Sequence, residues 1–166
     1  MCCGTPLVVN ENGKVTRFEY NKDGKLKKKV LSDGRIVDVK YDDKKHVSSI
    51  INNAEPYTFK YNDKDQIILA ASRDLKFKID YDGNGNVSNI VDNKKNTFSF
   101  KYDENGKLRE VYSKNTAMVV QYADNGAPIV MPKDGSDDTD KLWSIRKTYL
   151  DYIELMSVFN LIEVED

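Results

Sequence analysis

The chain has 166 residues, 39% of them hydrophobic, and a chain of this length suits one domain that buries about 70% of its unfolded surface. Its 26 basic and 27 acidic residues give a formal net charge of −1, which offers no overall field to attract nucleic acid or an anionic membrane. No stretch contains the roughly 18 apolar residues of a membrane-spanning helix, so we expect a soluble domain that neither spans a membrane nor binds nucleic acid.

Residues 1–6 are expected to form a disordered N-terminal tail. Cys2 and Cys3 are the only cysteines, and because they are adjacent they have neither disulfide nor zinc-ligand spacing. Two interpretations of this pair stay open. The cysteines are either frayed free thiols or, if a signal sequence has been removed, the mark of a lipid-anchored mature terminus.

The central part of the chain, residues 7–132, is built from a repeat of 20 or 21 residues. Each copy contains a tyrosine that is followed, six positions later, by an aliphatic residue or proline. The tyrosines are Tyr20, Tyr41, Tyr61, Tyr81, Tyr102 and Tyr122. The residues at the sixth position are Leu26, Val47, Ile67, Val87, Leu108 and Pro128. Such a repeat specifies architecture strongly and chemistry weakly.

The turn after each tyrosine has the composition of a β-hairpin loop, since eight of the nine glycines directly follow Asp or Asn. In YDENGKL, residues 102–108, we expect a three-residue loop with Gly106 left-handed in a bulge and Tyr102 opposite Leu108. Gly24, Gly85 and Gly126 occupy the equivalent position. Lys45 and Asp65 replace this glycine in two copies, where we expect looser turns.

Strand alternation then predicts two different faces. Tyrosines and their aliphatic partners share an apolar core face with residues such as Phe98, Phe100 and Tyr112. Charged residues lie on the other face, together with an apolar row at the ninth position after each tyrosine. That row is Ile50, Ala70, Ile90, Val111 and Met131. The charged face argues against a membrane-inserted barrel.

Both ends of the repeat region are irregular. Val9 and Val15 flank a truncated first copy, but their spacing to Tyr20 is odd, which predicts a bulge or register shift near Thr16. Pro128 and Pro132 lack backbone donors and suit a last, edge strand.

Residues 133–166 are expected to be a linker and an apolar helix from about 139 to 161, in the same domain as the repeats. Its apolar face includes Tyr149, Tyr152 and Ile153, and must be covered. The predicted fold is mainly β: an antiparallel meander of about 12 strands, forming a curled sheet or soluble barrel, with the helix packed against or inside it. We favour the helix inside as a plug, and the ninth-position row is the alternative seat.

Candidate catalytic and metal-binding residues are few. His46, the only histidine, is expected to be a solvated turn residue rather than a general base. Asp82, Asn84 and Asn86 resemble a calcium loop, but Val87 and Asn93 stand where glycine and glutamate are required. We therefore predict no enzyme activity, no cofactor and no metal.

YDENGKL, with YDGNGNV at 81–87 and YNKDGKL at 20–26, resembles the YD repeats of RHS-type bacterial proteins, over residues 9–132. The chain is also similar to small exported bacterial domains of unknown function with a porin-like meander, often lipoproteins. These resemblances imply the fold and an envelope location but no activity. Our first hypothesis is a non-enzymatic, exported binding or structural module of the cell envelope or extracellular space, with an envelope protein or glycan as partner. Alternatives are a carrier of a lipophilic or sugar ligand inside the barrel, and a cytoplasmic location.

Overall fold

In a computed structural model, the described residues are 7–113, 116–135 and 139–163. The expected disordered tail, with Cys2 and Cys3, lies outside them. The thirteen strands are β1 (Leu7–Glu11), β2 (Lys14–Tyr20), β3 (Leu26–Val30), β4 (Ile36–Tyr41), β5 (Val47–Asn52), β6 (Glu55–Tyr61), β7 (Ile67–Ala71), β8 (Lys76–Tyr81), β9 (Val87–Asp92), β10 (Thr97–Tyr102), β11 (Leu108–Ser113), β12 (Thr116–Tyr122) and β13 (Pro128–Pro132). A helix α1 (Thr139–Met156) and a 3₁₀ helix (Ser157–Ile162) follow.

The strands form an antiparallel sheet in meander order, β1 to β13. Among the described strands β1 pairs only with β2 and β13 only with β12, so the sheet has two edge strands and is not closed. The expected mainly β meander with one C-terminal helix is confirmed, and the edge position of the proline-containing last strand is confirmed with it.

The chain divides into two compact units. The N-terminal unit contains residues 1–74 and 155–166, and the C-terminal unit contains residues 75–154. That the whole chain folds as one domain stays a prediction.

A bulge after each of the first five tyrosine turns determines which residues form the core. Tyr102 lies opposite Leu108, as expected, but Lys101 lies opposite Glu110, so Arg109 is extra and the alternation of the strand reverses there. The residues in the same place in the other copies are Lys27, Ser48, Ile68 and Ser88.

This second bulge corrects the expected faces. The ninth-position residues Ile50, Ala70, Ile90 and Val111 are 0–8% exposed and belong to the core, not to the charged face. Tyr112, expected in the core, lies beside Ser99 and pairs with neither buried phenylalanine of β10. Only the last copy lacks the bulge, and there Met131 is exposed as the simple alternation predicts.

Each unit has its own buried apolar residues. Those of the N-terminal unit are Leu26, Val37, Val39, Ile50, Phe59, Ala70, Leu155 and Val158. Those of the C-terminal unit are Phe77, Ile79, Ile90, Phe98, Phe100, Val111, Met118 and Val120. Within the C-terminal unit Tyr152 packs edge-on to Phe77, and within the N-terminal unit Phe159 packs against Phe59.

The helix prediction was correct in type and wrong in detail. Because the bulges place the aromatic and ninth-position rows on one face, the two rows do not offer the helix two different faces. Tyr152 packs edge-on to Phe77 and Leu155 is 3% exposed, whereas Tyr149 and Ile153, both expected in the covered face, are 43% and 44% exposed, and Leu150 is 48% exposed.

The first hairpin is more regular than expected. β1 and β2 pair without interruption from Leu7 with Phe18 to Glu11 with Lys14, so the bulge predicted near Thr16 is absent. A two-residue turn, Asn12-Gly13, with φ of 51° and 81°, closes this hairpin. The irregularity appears instead at Tyr20, where it belongs to the repeat.

Candidate functional site

The tyrosine turn is the repeated local structure on which the sheet is built. In the best-matching copy, the Asp103 N–H donates to the Lys107 carbonyl at 2.9 Å and the Gly106 N–H donates to the Asp103 carbonyl at 3.0 Å. Gly106 has a φ of 77°, which L side chains adopt only with strain. Gly24, Gly85 and Gly126 have the same positive φ, between 76° and 84°.

The acidic residue after the tyrosine stabilises this turn. Asp103 Oδ1 accepts hydrogen bonds from the N–H groups of Asn105 and Lys107, both at 2.9 Å. These backbone donors, and the Arg109 guanidinium, lower the pKa of Asp103. Asn21, Asp42, Asn62 and Asp82 accept the equivalent pairs of bonds in their copies. Asp82 thus serves a turn, as hairpin chemistry predicts.

The two copies without the loop glycine have the same turn, contrary to the looser turns expected. Lys45 and Asp65 take up φ of 67° and 63°, and each N–H donates to the carbonyl three residues before it, at 3.0 and 3.1 Å. The Asx hydrogen bonds of Asp42 and Asn62 are formed as well. The turn therefore imposes a left-handed backbone on non-glycine residues.

Tyrosine hydroxyls connect copies of the repeat to the copy before. Four of them donate to the carbonyl of the preceding copy's sixth-position residue, and we call these four bonds the tyrosine ladder. The bonds run from Tyr41 to Leu26 (2.8 Å), from Tyr61 to Val47 (3.0 Å), from Tyr102 to Val87 (2.8 Å) and from Tyr122 to Leu108 (3.0 Å). Tyr20, in the first copy, has no hydroxyl partner among the described residues.

Burial raises the pKa of four of the repeat tyrosines. It raises the pKa of Tyr41, Tyr81 and Tyr102, and together with the Asp42 carboxylate it raises that of Tyr61 to about 12. The hydroxyls therefore stay protonated and remain donors. Sequence reasoning placed these tyrosines in the core but missed the ladder, although six tyrosines without one phenylalanine indicate that the hydroxyl has a partner.

A second contact between copies covers the tyrosine rings. In three copies, the residue five positions after the tyrosine lies over the ring of the next tyrosine. Lys25 lies 5.2 Å from the Tyr41 ring and Lys107 lies 5.1 Å from the Tyr122 ring, as cation–π contacts. His46 holds this place over Tyr61, with ring centroids 4.4 Å apart and an angle of 22° between the planes.

His46 is therefore not the solvated turn residue that the sequence predicts. Its side chain is 20% exposed, and its two ring nitrogens lie 3.3 Å from Asp42 Oδ2 and 2.9 Å from Asp65 Oδ1. Asp42 belongs to the same turn and Asp65 to the next one. The imidazole thus joins two neighbouring turns, because each of its ring nitrogens contacts a carboxylate of one of them.

Among the described residues no three His, Cys, Asp or Glu side chains are grouped as metal ligands. Within the same residues, no helix is long and apolar enough to cross a membrane. The lipid-attachment candidates Cys2 and Cys3 lie outside the described part of the chain, so that expectation stays a prediction. The tyrosine hydroxyls connect neighbouring copies of the repeat, and the Asp and Asn side chains cap the turns.

Structures similar to this chain include TcdB2-TccC3-Cdc42 and TcdB2-TccC3-TEV. Each has a TM-score of 0.57 and 12% identity over 70% of this chain. The chain spans only 7% of the length of those chains. The Photorhabdus luminescens Tc holotoxin pore matches with a TM-score of 0.49 and 14% identity, over 80% of this chain and 11% of that one. These similarities concern the fold alone.

No curated protein matches the chain at a significant level. A family does: residues 5–138 match the teneurin YD-shell. That range includes all six tyrosine turns and the ladder between them. The tyrosine, the capping Asp or Asn and the left-handed turn residue are the features that the YD repeat names. The chain belongs to the teneurin YD-shell family.

Proposed function

We propose that this chain is a non-enzymatic wall module of a YD shell, exported to the bacterial cell envelope, where it supports or binds an envelope protein or glycan. The tyrosine ladder carries the proposal. The residue types that could act as acids, bases or hydrogen-bond donors form structural bonds in most copies: four of the six phenols bond carbonyls, and the Asx side chains after five of the six tyrosines cap turns.

The charged surface supports the same proposal. Glu110 accepts a hydrogen bond from Tyr112, and Lys133 Nζ lies 3.1 Å from Glu110 Oε1. These two partners lower the pKa of Glu110, so this carboxyl group stays ionised instead of serving as a general acid. Because the chain spans only 7% to 11% of the length of the matching chains, the activities of those complexes are not carried over to it.

The proposed location depends on the two N-terminal cysteines. We expect the protein to fractionate with membranes in its host, and a Cys2→Ser, Cys3→Ser variant to be released from them. Intact mass would show a lipid adduct in the first case only. Full-length, unmodified protein in the cytoplasm would overturn the envelope proposal.

Partner binding is tested by cross-linking in intact cells with the wild-type chain. A Tyr61→Phe variant, which loses one ladder bond but keeps the surface, serves as the matched control and is expected to capture the same partner. Capture of neither an envelope protein nor a glycan would overturn the module proposal. Turnover of any substrate by purified protein would overturn its non-enzymatic part.

A further inference from the structure

The two edge strands of the sheet, β1 and β13, differ in the backbone groups that they present to another strand. In an antiparallel edge strand every second residue turns its N–H and C=O groups away from the sheet, where they can pair with another chain. The hydrogen bonds at the turn next to each strand determine which residues these are. The outward residues of the two edges can therefore be compared.

The edge of β13 is blocked by proline. Beyond the end of this strand the Lys133 N–H donates to the Ala117 carbonyl at 2.9 Å, so Lys133 occupies a hydrogen-bonded position. Alternation along the strand then turns Pro132, Val130 and Pro128 outward. Because proline has no N–H, Val130 supplies the one outward donor within these five described residues.

The edge of β1 has no such protection. Its turn to β2 consists of the two residues Asn12-Gly13, so the flanking pair of Glu11 and Lys14 is hydrogen-bonded. Alternation from this pair turns Val8 and Asn10 outward, each with both an N–H and a C=O group. The five described residues of the strand include neither proline nor lysine, and no bulge interrupts their pairing with β2.

The side chains of β1 also favour pairing with another strand. Leu7 and Val8 are each 52% exposed and Val9 is 36% exposed, so apolar groups are exposed on both faces of the strand. The Asn10 side chain belongs to its own hairpin, where its Oδ1 accepts a hydrogen bond from the Gly13 N–H at 3.1 Å. An exposed apolar edge of this kind is a template for strand addition.

We propose that β1 is a dimerisation edge, at which two copies of this chain pair antiparallel around a two-fold axis at Val9. This register places Val8 of each copy opposite Asn10 of the other, and the two pairs exchange four backbone hydrogen bonds. The two Val9 side chains meet at the axis. The Glu11 carboxylates lie at opposite ends, about 14 Å apart along the strands, whereas in-register parallel pairing would place them side by side.

The difference between the edges also determines which assembly forms. Pairing of β1 with β13 of another copy would be heterologous and would continue into a filament. Val130 alone could donate from β13, since Pro128 and Pro132 have no N–H. Pairing of β1 with β1 is instead complete with two copies. Each copy contributes one short strand, so we expect a weak dimer, with a Kd of about 10 µM to 1 mM. This surface goes beyond the proposed wall function.

Sedimentation equilibrium of the purified chain tests the dimer. Val8→Pro removes two of the four bonds between the copies and is expected to weaken the dimer at least ten-fold. The Val8 N–H does not bond to β2, so β circular dichroism should be retained. Val130→Pro makes the same change at the outward position of β13, and as the matched control it should dimerise normally. Undiminished dimerisation of Val8→Pro, or equal weakening in both variants, would overturn the proposal.

A charge exchange at the axis tests the register. Val9→Lys places two ammonium groups opposite each other and Val9→Glu places two carboxylates there, so each variant alone should be monomeric. An equimolar mixture should form a heterodimer with a Kd within ten-fold of the wild-type value. Failure of the mixture to associate would exclude the two-fold contact at Val9, since misfolding would appear in the circular dichroism of each variant.

Amide hydrogen exchange at low and high protein concentration locates the contact. The N–H groups of Val8 and Asn10 should exchange more slowly as the dimer forms, whereas those of Leu7 and Val9, which bond to β2, should change little. A chain that stays monomeric at about 1 mM would show that a second copy does not occupy this edge. A dimer that leaves the exchange of Val8 and Asn10 unchanged would place the contact elsewhere, and the proposal would be wrong as well.

Discussion

The hydroxyl of Tyr61 donates a hydrogen bond to the backbone carbonyl of Val47 across 3.0 Å, although the two residues belong to successive copies of the repeat. The bond uses a side chain from one copy to satisfy the backbone of another. It therefore links copies independently of strand pairing.

Replacing a ladder tyrosine by phenylalanine should destabilise the protein while leaving its packing unchanged. Tyr41→Phe is expected to lower the free energy of unfolding by about 1 kcal/mol, because the half-buried Leu26 carbonyl loses its donor. Tyr20→Phe is the control, since Tyr20 has no described hydroxyl partner and should lose less than half as much. Urea denaturation measures both, and equal losses would contradict the ladder.

Glycine at the left-handed turn positions should stabilise the protein. Lys45→Gly is expected to raise the free energy of unfolding by about 0.5–1 kcal/mol, because it relieves a non-glycine residue at a φ of 67°. Lys44→Gly, in the same turn but at negative φ, should be destabilising because it only adds unfolded-state entropy. Thermal melting compares the pair, and a loss of stability in Lys45→Gly would show that the turn is not strained.

His46 should contribute to stability as a link between turns. We expect His46→Ala to cost about 1 kcal/mol, through loss of the stack on Tyr61 and of the contacts with Asp42 and Asp65. His46→Lys installs the residue that covers the tyrosine in two other copies, and should retain most of the stability. Chemical denaturation would refute the interpretation if the lysine variant were as unstable as the alanine variant.

Leucines of α1 should differ sharply by position. Leu155 is 3% exposed, and Leu155→Ala is expected to cost about 2–5 kcal/mol through lost apolar burial and a residual cavity. Leu150 is 48% exposed, so Leu150→Ala should cost less than about 1 kcal/mol. The two variants remove the same atoms from one helix, and similar denaturation midpoints would mean that the helix does not pack as described.

Stability should fall at alkaline pH. Burial raises the pKa of Tyr61 and of Tyr152 to about 12, above the ordinary value of 10.0. The folded chain therefore holds these protons more tightly, and as pH rises from 10 towards 12 the unfolded state deprotonates first and gains stability relative to the folded state. Tyrosinate absorbance and denaturation at each pH measure this, and Tyr61→Phe should flatten the decline. Normal titration of all tyrosines in the folded protein would contradict it.

The sequence was sufficient to predict the repeat, the hairpin turn and the edge strand because these depend on local chemistry. Gly106 requires a left-handed position, and the opposition of Tyr102 and Leu108 follows from the loop length. Pro128 and Pro132 lack donors, so they belong at an edge. Each of these inferences needs only neighbouring residues.

The faces of the sheet could not be predicted in the same way. A single extra residue, such as Arg109, reverses every later side chain, and no residue type marks it: its equivalents are Lys27, Ser48, Ile68 and Ser88. The apolar character of Ile50 and Ala70 was the available sequence signal for the reversal. If these residues lay on the face opposite the tyrosines, one of the two apolar rows would be left uncovered.

The contacts of His46 and of the ladder were missed for a different reason. The contacts between copies join residues 14 to 19 positions apart that meet only when one hairpin lies beside the next, as Tyr102 meets the Val87 carbonyl and His46 meets Asp65. Lys45 and Asp65 show the related effect in the turns, where the pairing of the strands overrides the preference of the residue.

The ladder also has a direction, because each of its four hydroxyls reaches back to the copy before it. Each of these four junctions therefore contains the same kind of donor and acceptor, whichever two copies meet there. Duplication or loss of one whole copy in the gene would rejoin equivalent groups, whereas an insertion of a few residues would not. Gain or loss of whole repeats thus leaves the donor and acceptor groups at these junctions unchanged. This accounts for spacings of 20 or 21 residues and no others between the repeat tyrosines.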